Sequence, residues 1–176
     1  MTTRTPVFLS MFILGIGCAS AQAQNNLTTT ATQRYFNVVR ANLEASVDVM
    51  PAEKYSFRLT PGQRTFAEWI DHSIQRNYSD CALLKSVPVP DLEKQAASLK
   101  DKAEVSKALK DSFAYCASAL ESIDDQKILS TPQMTYAFLH VIVHSNEIYG
   151  NIVGYLRASG IVPPSTTRVN ATKKGN

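Results

Sequence analysis

His140 and His144 stand four residues apart in the run Leu139–Asn151, and the 176-residue chain holds one other histidine, His72. Positions four apart on a helix share a face, one turn above the other. Such a pair can present two imidazoles to one metal ion, as the histidines of an H-E-x-x-H helix do. If the fold brings His72 alongside, three nitrogen ligands surround one site. The competing reading makes these histidines neutral, hydrogen-bonded residues of a mostly apolar helix. Glu147, three residues past His144, reads either as a base for a metal-bound water or as a solvated helix residue. Trp69, one turn before His72, either lines a pocket or fills the core. The chain has no Gly-rich phosphate loop and no serine-nucleophile motif.

These residues must be positioned by helices. Tyr35, Phe36, Val39, Leu43 and Val47 recur at steps of three and four, predicting a first helix from about Thr32 to Met50-Pro51. A loop with two aromatic anchors, Tyr55 and Phe57, spans residues 51–63. Thr65 and Glu68 have capping-box spacing for a second helix, which Val87-Pro88-Val89-Pro90 ends. Its apolar face is Phe66, Trp69, Ile70, Ile74, Tyr78, Cys81 and Leu84. After a charged, Ala-rich connector comes a third helix, about 102–123, with Val105, Leu109, Phe113, Cys116 and Leu120 in one stripe. Thr131-Pro132 opens the fourth, and Gly160 with Pro163-Pro164 closes it. No alternating strand pattern occurs, so the fold class is all-α, a four-helix bundle over residues 32–164. Met134–Val143 is apolar almost all round, which predicts a homodimer with Phe138 and Ile142 on the extra face.

The ends read differently. Arg4, the apolar run Val7–Ile16 and Ala19-Ser20-Ala21-Gln22-Ala23 are the three parts of a secretory signal peptide, 1–23. Cleavage after Ala21 or Ala23 fits, with Ala23 preferred. The run is shorter than the roughly 20 residues of a membrane span, so no span is expected after cleavage. A lipoprotein reading of Leu14-Gly15-Ile16-Gly17-Cys18 puts Gly15 where an aliphatic residue is usual. Residues 24–31 read as a flexible mature N-terminus and 165–176 as a disordered tail. The expected location is therefore periplasmic or secreted. Two cysteines remain, Cys81 and Cys116, on different helices, and export invites a disulfide between them; two buried free thiols are the alternative. With no Cys-x-x-Cys, thioredoxin-like and c-type haem chemistry drop out. The formal charge of +3 falls to +2 without Arg4, and nucleic-acid binding gains no support.

Two stretches carry a family resemblance: Arg64–His72 and His140-x-x-x-His144-Ser145-Asn146-Glu147-Ile148-Tyr149-Gly150-Asn151, followed by Tyr155-Leu156-Arg157 and Gly160–Pro164. Over about residues 33–166 the chain resembles the DinB/YfiT-like family. That resemblance implies a four-helix bundle, often dimeric, with a divalent ion held by three histidines. It also implies kinship with thiol-dependent transferases; those thiols are cytosolic, so export argues against that activity. The family's ligands map to His72, His144 and position 148, where this chain has Ile148. Isoleucine has no lone pair to offer. His140 lies a turn away, about 5.4 Å of rise against a metal–nitrogen bond of about 2 Å.

The expectation is an exported bundle with a degenerate histidine triad, its metal candidates His72, His144 and His140. The implied cofactor is zinc or nickel, held weakly or not at all, with hydrolase- or transferase-like chemistry. The alternative is a non-catalytic bundle kept for dimerisation or partner binding. No residue pattern names a small-molecule substrate.

Overall fold

The structure, a computed structural model, describes residues 26–91 and 101–174. The expected signal peptide, Cys18 and most of the Ala-rich connector lie outside the described residues. The described residues form six α-helices, one short 3-10 turn at Ala52–Lys54 and no strand. The helices are α1 Leu27–Val49, α2 Phe66–Lys85, α3 Lys102–Glu121, α4 Asp125–Ile128, α5 Pro132–Ala158 and α6 Pro164–Lys174. The fold is all-α, and α1, α2, α3 and α5 are the four long helices expected. No described helix is long and apolar enough to cross a membrane.

Local chemistry sets most helix ends. Thr65 and Glu68 close a reciprocal capping box: Glu68 N–H donates to Thr65 Oγ1 at 3.1 Å, and Thr65 N–H to Glu68 Oε2 at 2.6 Å. Thr131 caps α5 at 3.1 Å with Pro132 in the first turn, and Gly160 past its end takes φ 77°. Two expectations need correcting. Helix α1 starts at Leu27, five residues before Thr32, because its N-terminus is capped from far away in the chain. Thr28 and Thr29 N–H groups donate to the two carboxylate oxygens of Asp125, at 2.9 and 2.8 Å. The segment expected to be a disordered tail is helix α6. Pro163-Pro164 does stop α5, but Pro164 also suits a first helical position. The Tyr149 hydroxyl holds the new helix through Ser165 Oγ at 2.8 Å, and the Arg168 guanidinium donates to Asn42 Oδ1.

Around the bundle, α2 lies between α3 and α5, and α1 closes the ring by packing on both of those. Consecutive helices α1 and α2 are thus diagonal, and the long 50–65 connection crosses between them. Tyr55 and Phe57 anchor that crossing: Tyr55 Oη–H donates to the Val47 carbonyl at 3.0 Å, and Phe57 meets Tyr155 edge-on at 5.9 Å. The core runs the full length of the ring, with Phe36, Leu43, Phe66, Ile70, Phe113 and Tyr155 all buried. Phe138 belongs to it too, at 1% exposure, rather than to the outward face expected of it. Ile142 is half-buried against the same core. The outward apolar residues of α5 are Tyr136, Leu139 and Val143, the last 65% exposed.

Cys81 on α2 and Cys116 on α3 form a disulfide with a Cα–Cα distance of 5.2 Å, inside the range such bonds require. The bond closes a loop with a sequence separation of 35, so it restricts the unfolded chain strongly. Replacing both cysteines with serine is expected to cost about 2–5 kcal/mol in urea unfolding. An unchanged midpoint would show that helix packing alone holds α2 to α3.

Candidate functional site

His72 lies in the second turn of α2 and His144 in the middle of α5, both partly buried. These helices are neighbours in the ring, and their two Nε2 atoms lie 2.9 Å apart. The rings stand perpendicular, at 89° and 5.0 Å between centroids. At 2.9 Å one nitrogen must donate and the other accept. The third atom in the chain decides which. His144 Nδ1 is 2.9 Å from Glu147 Oε2, and a carboxylate only accepts. With both rings neutral, His144 therefore carries its proton on Nδ1, its Nε2 offers a lone pair, and His72 donates from Nε2. The free lone pair of His72 is then on Nδ1.

Burial holds the His72 pKa below the ordinary imidazole value. The nearby positive charge of Arg64 acts in the same direction, and so do His144 and Arg76, while Glu147 opposes them. That direction favours the neutral imidazole of His72.

The three-histidine centre implied by the family resemblance does not fit this arrangement. Two imidazoles on one tetrahedral ion at about 2.0–2.1 Å would place their nitrogens ~3.3 Å apart. His72 and His144 could open by that small amount if the His72 proton moved to Nδ1. The third position is the obstacle: Ile148 is 1% exposed, packed in the apolar core, and has no donor atom. His140 does not substitute. Its Nδ1 is 2.7 Å from Asp80 Oδ2, and Asp80 also pairs with Arg76 at 2.6 Å. The His140 ring lies nearly parallel to His144, at 18° and 4.6 Å, stacked beside it rather than converging on a common point. Tyr136 stacks on the other side at 5.1 Å. Among the described residues, no three His, Cys, Asp or Glu side chains are grouped to hold a metal ion.

Trp69 sits edge-on to His72 at 6.2 Å, and its indole N–H donates to Tyr155 Oη at 3.3 Å. The Tyr155 hydroxyl in turn donates to the Arg64 carbonyl, tying the start of α2 to α5. Trp69 thus braces the helix beneath His72. The Glu147 side chain is mostly exposed and pairs with His144 at 2.9 Å.

His72 lies on the border of two clefts. One, of about 680 Å³, runs along Gln75, Arg76 and Ser79 towards Pro90. The other, of about 390 Å³, lies between the 58–64 loop and the first turns of α2. Sequence reasoning missed the half-buried Arg76 and the buried Asp80, the pair that captures His140. Their i, i+4 spacing was a visible sign of an ion pair on α2, but nothing local aims it at α5.

The lowered His72 pKa has a sign that can be followed. As pH falls below 6.5, the unfolded chain binds a proton that the folded one still refuses. Its contribution to stability is complete above 6.5 and is lost as pH falls through the lower folded value. Thermal melts of the wild type should therefore weaken on acidification across this window, and His72→Gln should flatten that part of the profile. An unchanged slope in the variant would show that other groups set it.

The family model of the DinB superfamily matches residues 35–148, well over half of the chain. The matched span holds His72, His140 and His144 and ends on Ile148. No match is found among curated proteins or among solved structures. The chain belongs to the DinB superfamily.

Proposed function

We propose that this protein is an exported DinB-superfamily bundle whose metal centre is reduced to a two-histidine, low-affinity site. The carrying observation is the 2.9 Å Nε2–Nε2 contact between His72 and His144, beside the buried Ile148. Two imidazoles supply half of a tetrahedral shell, and water must supply the rest. A divalent ion such as zinc or nickel would compete with the proton that already joins the pair, so it is exchangeable rather than resident. No reaction step is assigned to it. Export rests on Arg4, the apolar run and the Ala-x-Ala end, and the Cys81–Cys116 pairing supports an oxidising compartment. N-terminal sequencing of protein recovered from the cell envelope should start at Gln24 or Gln22; an intact Met1 there would refute export.

Calorimetry tests the site. The wild type should bind zinc or nickel weakly, and Ile148→His should tighten binding by on the order of 100-fold or more. Tight, stoichiometric binding by the wild type would mean that another group completes the shell. An Ile148→His variant with unchanged affinity would mean that position 148 does not converge with the pair.

A second role as a dimer is favoured by one feature. Tyr136, Leu139 and Val143 form an exposed stripe, and helix α5 carries no formal charge between Pro132 and Asn146. Sedimentation at micromolar concentration should show a dimer that Leu139→Glu dissociates. A wild type that sediments as a monomer would remove this role.

A further inference from the structure

The groove between α1 and α6 shares no residue with the histidine site or its clefts. Ala45 and Val49, four apart on α1, form one wall. Pro164, Thr167, Arg168 and Ala171 form the other, at the steps of three, one and three that mark one face of a helix. Val162, from the turn between α5 and α6, completes the lining. The volume is about 330 Å³, at the lower end of small-molecule sites. Val49 and Val162 are exposed, so the groove leaves apolar surface in water.

One charge stands in this lining. Arg168 is exposed, and its guanidinium donates to Asn42 Oδ1, a neutral amide that leaves the charge uncompensated. It forms no ion pair among the described residues. The acids beside Ala45 and Val49 on α1 have other partners: Glu44 pairs with Arg40 at 2.8 Å and Asp48 with Lys110 at 3.4 Å. From Ile148 to its end the chain carries Arg157, Arg168, Lys173 and Lys174 and no Asp or Glu. An anion at Arg168 is therefore attracted and meets no acidic side chain from α6. The walls disfavour a peptide. They belong to helices, whose backbone groups are paired along the axis. An extended peptide laid between them would bury amides without partners, whereas an alkyl chain has none. A partner helix, about 10–12 Å across, needs a longer trough than the single turn of α1 between Ala45 and Val49.

We infer that this groove binds a free single-chain carboxylate amphiphile, its alkyl chain along Ala45, Val49 and Val162 and its head on Arg168. The guanidinium fork matches the two oxygens of a carboxylate. The small volume admits one chain and not the two of a phospholipid. No metal takes part, so the inference stands apart from the reading of His72 and His144.

The test is a titration of the ¹⁵N-labelled protein with sodium decanoate below its micellar concentration, followed by backbone amide shifts. Saturable shifts should centre on Ala45, Val49, Val162, Thr167, Arg168 and Ala171. Octanoate, shorter by two methylenes, should bind about 10-fold more weakly. Decanol, with the same chain and no charge, should also bind about 10-fold more weakly than decanoate. Arg168→Gln should bring decanoate down to the level of decanol, and Arg168→Lys should keep most of the difference. Ala171→Leu adds bulk to the groove from an exposed position on α6 and should weaken decanoate by about 10-fold or more. The inference is overturned if no shift saturates, if decanol binds as tightly as decanoate, or if folded Ala171→Leu binds like the wild type. Should the groove amides shift on phosphatidylglycerol vesicles and not on decanoate, the surface belongs to a membrane and the inference fails.

Discussion

One proton separates His72 from His144. Helices α2 and α5 meet closely enough that their two Nε2 atoms share it at 2.9 Å. With both rings neutral, the direction of that hydrogen bond follows from Glu147, which accepts from the far side of His144. A metal ion needs lone pairs from both nitrogens, so ion and proton exclude each other. Ile148, one turn beyond His144, adds no ligand, and two nitrogens would leave most of a metal's shell to water.

The same helix explains why His140 does not converge on His72 and His144. A neighbour one turn up α5 is displaced by about 5.4 Å along the axis. At that height the facing helix presents the Arg76–Asp80 pair, and His140 completes it. Asp80 is almost fully buried, so its charge needs both partners. His140 is therefore engaged in stabilising a buried carboxylate. Its ring stacks on both Tyr136 and His144.

Much of the fold was legible because its signals are local. The Thr65–Glu68 capping box, Thr131-Pro132 and Gly160 each act within a few residues, and each marks a real helix end. The Cys81–Cys116 bond followed from two apolar stripes that could face each other. What stayed hidden depends on contacts far apart in the chain. Helix α1 extends to Leu27 because Asp125 caps it from α4, itself a four-residue turn with no periodicity to show. Helix α6 has little amphipathic pattern, and Tyr149 and Asn42 hold it from elsewhere. Within the site, the facing of His72 and His144 followed from family register. The capture of His140 by Asp80 did not, since a helix register cannot say which residue of α2 lies opposite.

The most direct measurement is the tautomeric state of the histidines, read from ring-nitrogen shifts of the metal-free, ¹⁵N-labelled protein at neutral pH. The account predicts His144 protonated on Nδ1 and His72 protonated on Nε2, with a scalar coupling between their two Nε2 atoms across the hydrogen bond. His72 protonated on Nδ1, with both Nε2 atoms unprotonated and no coupling between them, would contradict it: that is the state of two nitrogens prepared for a metal ion rather than bound to each other.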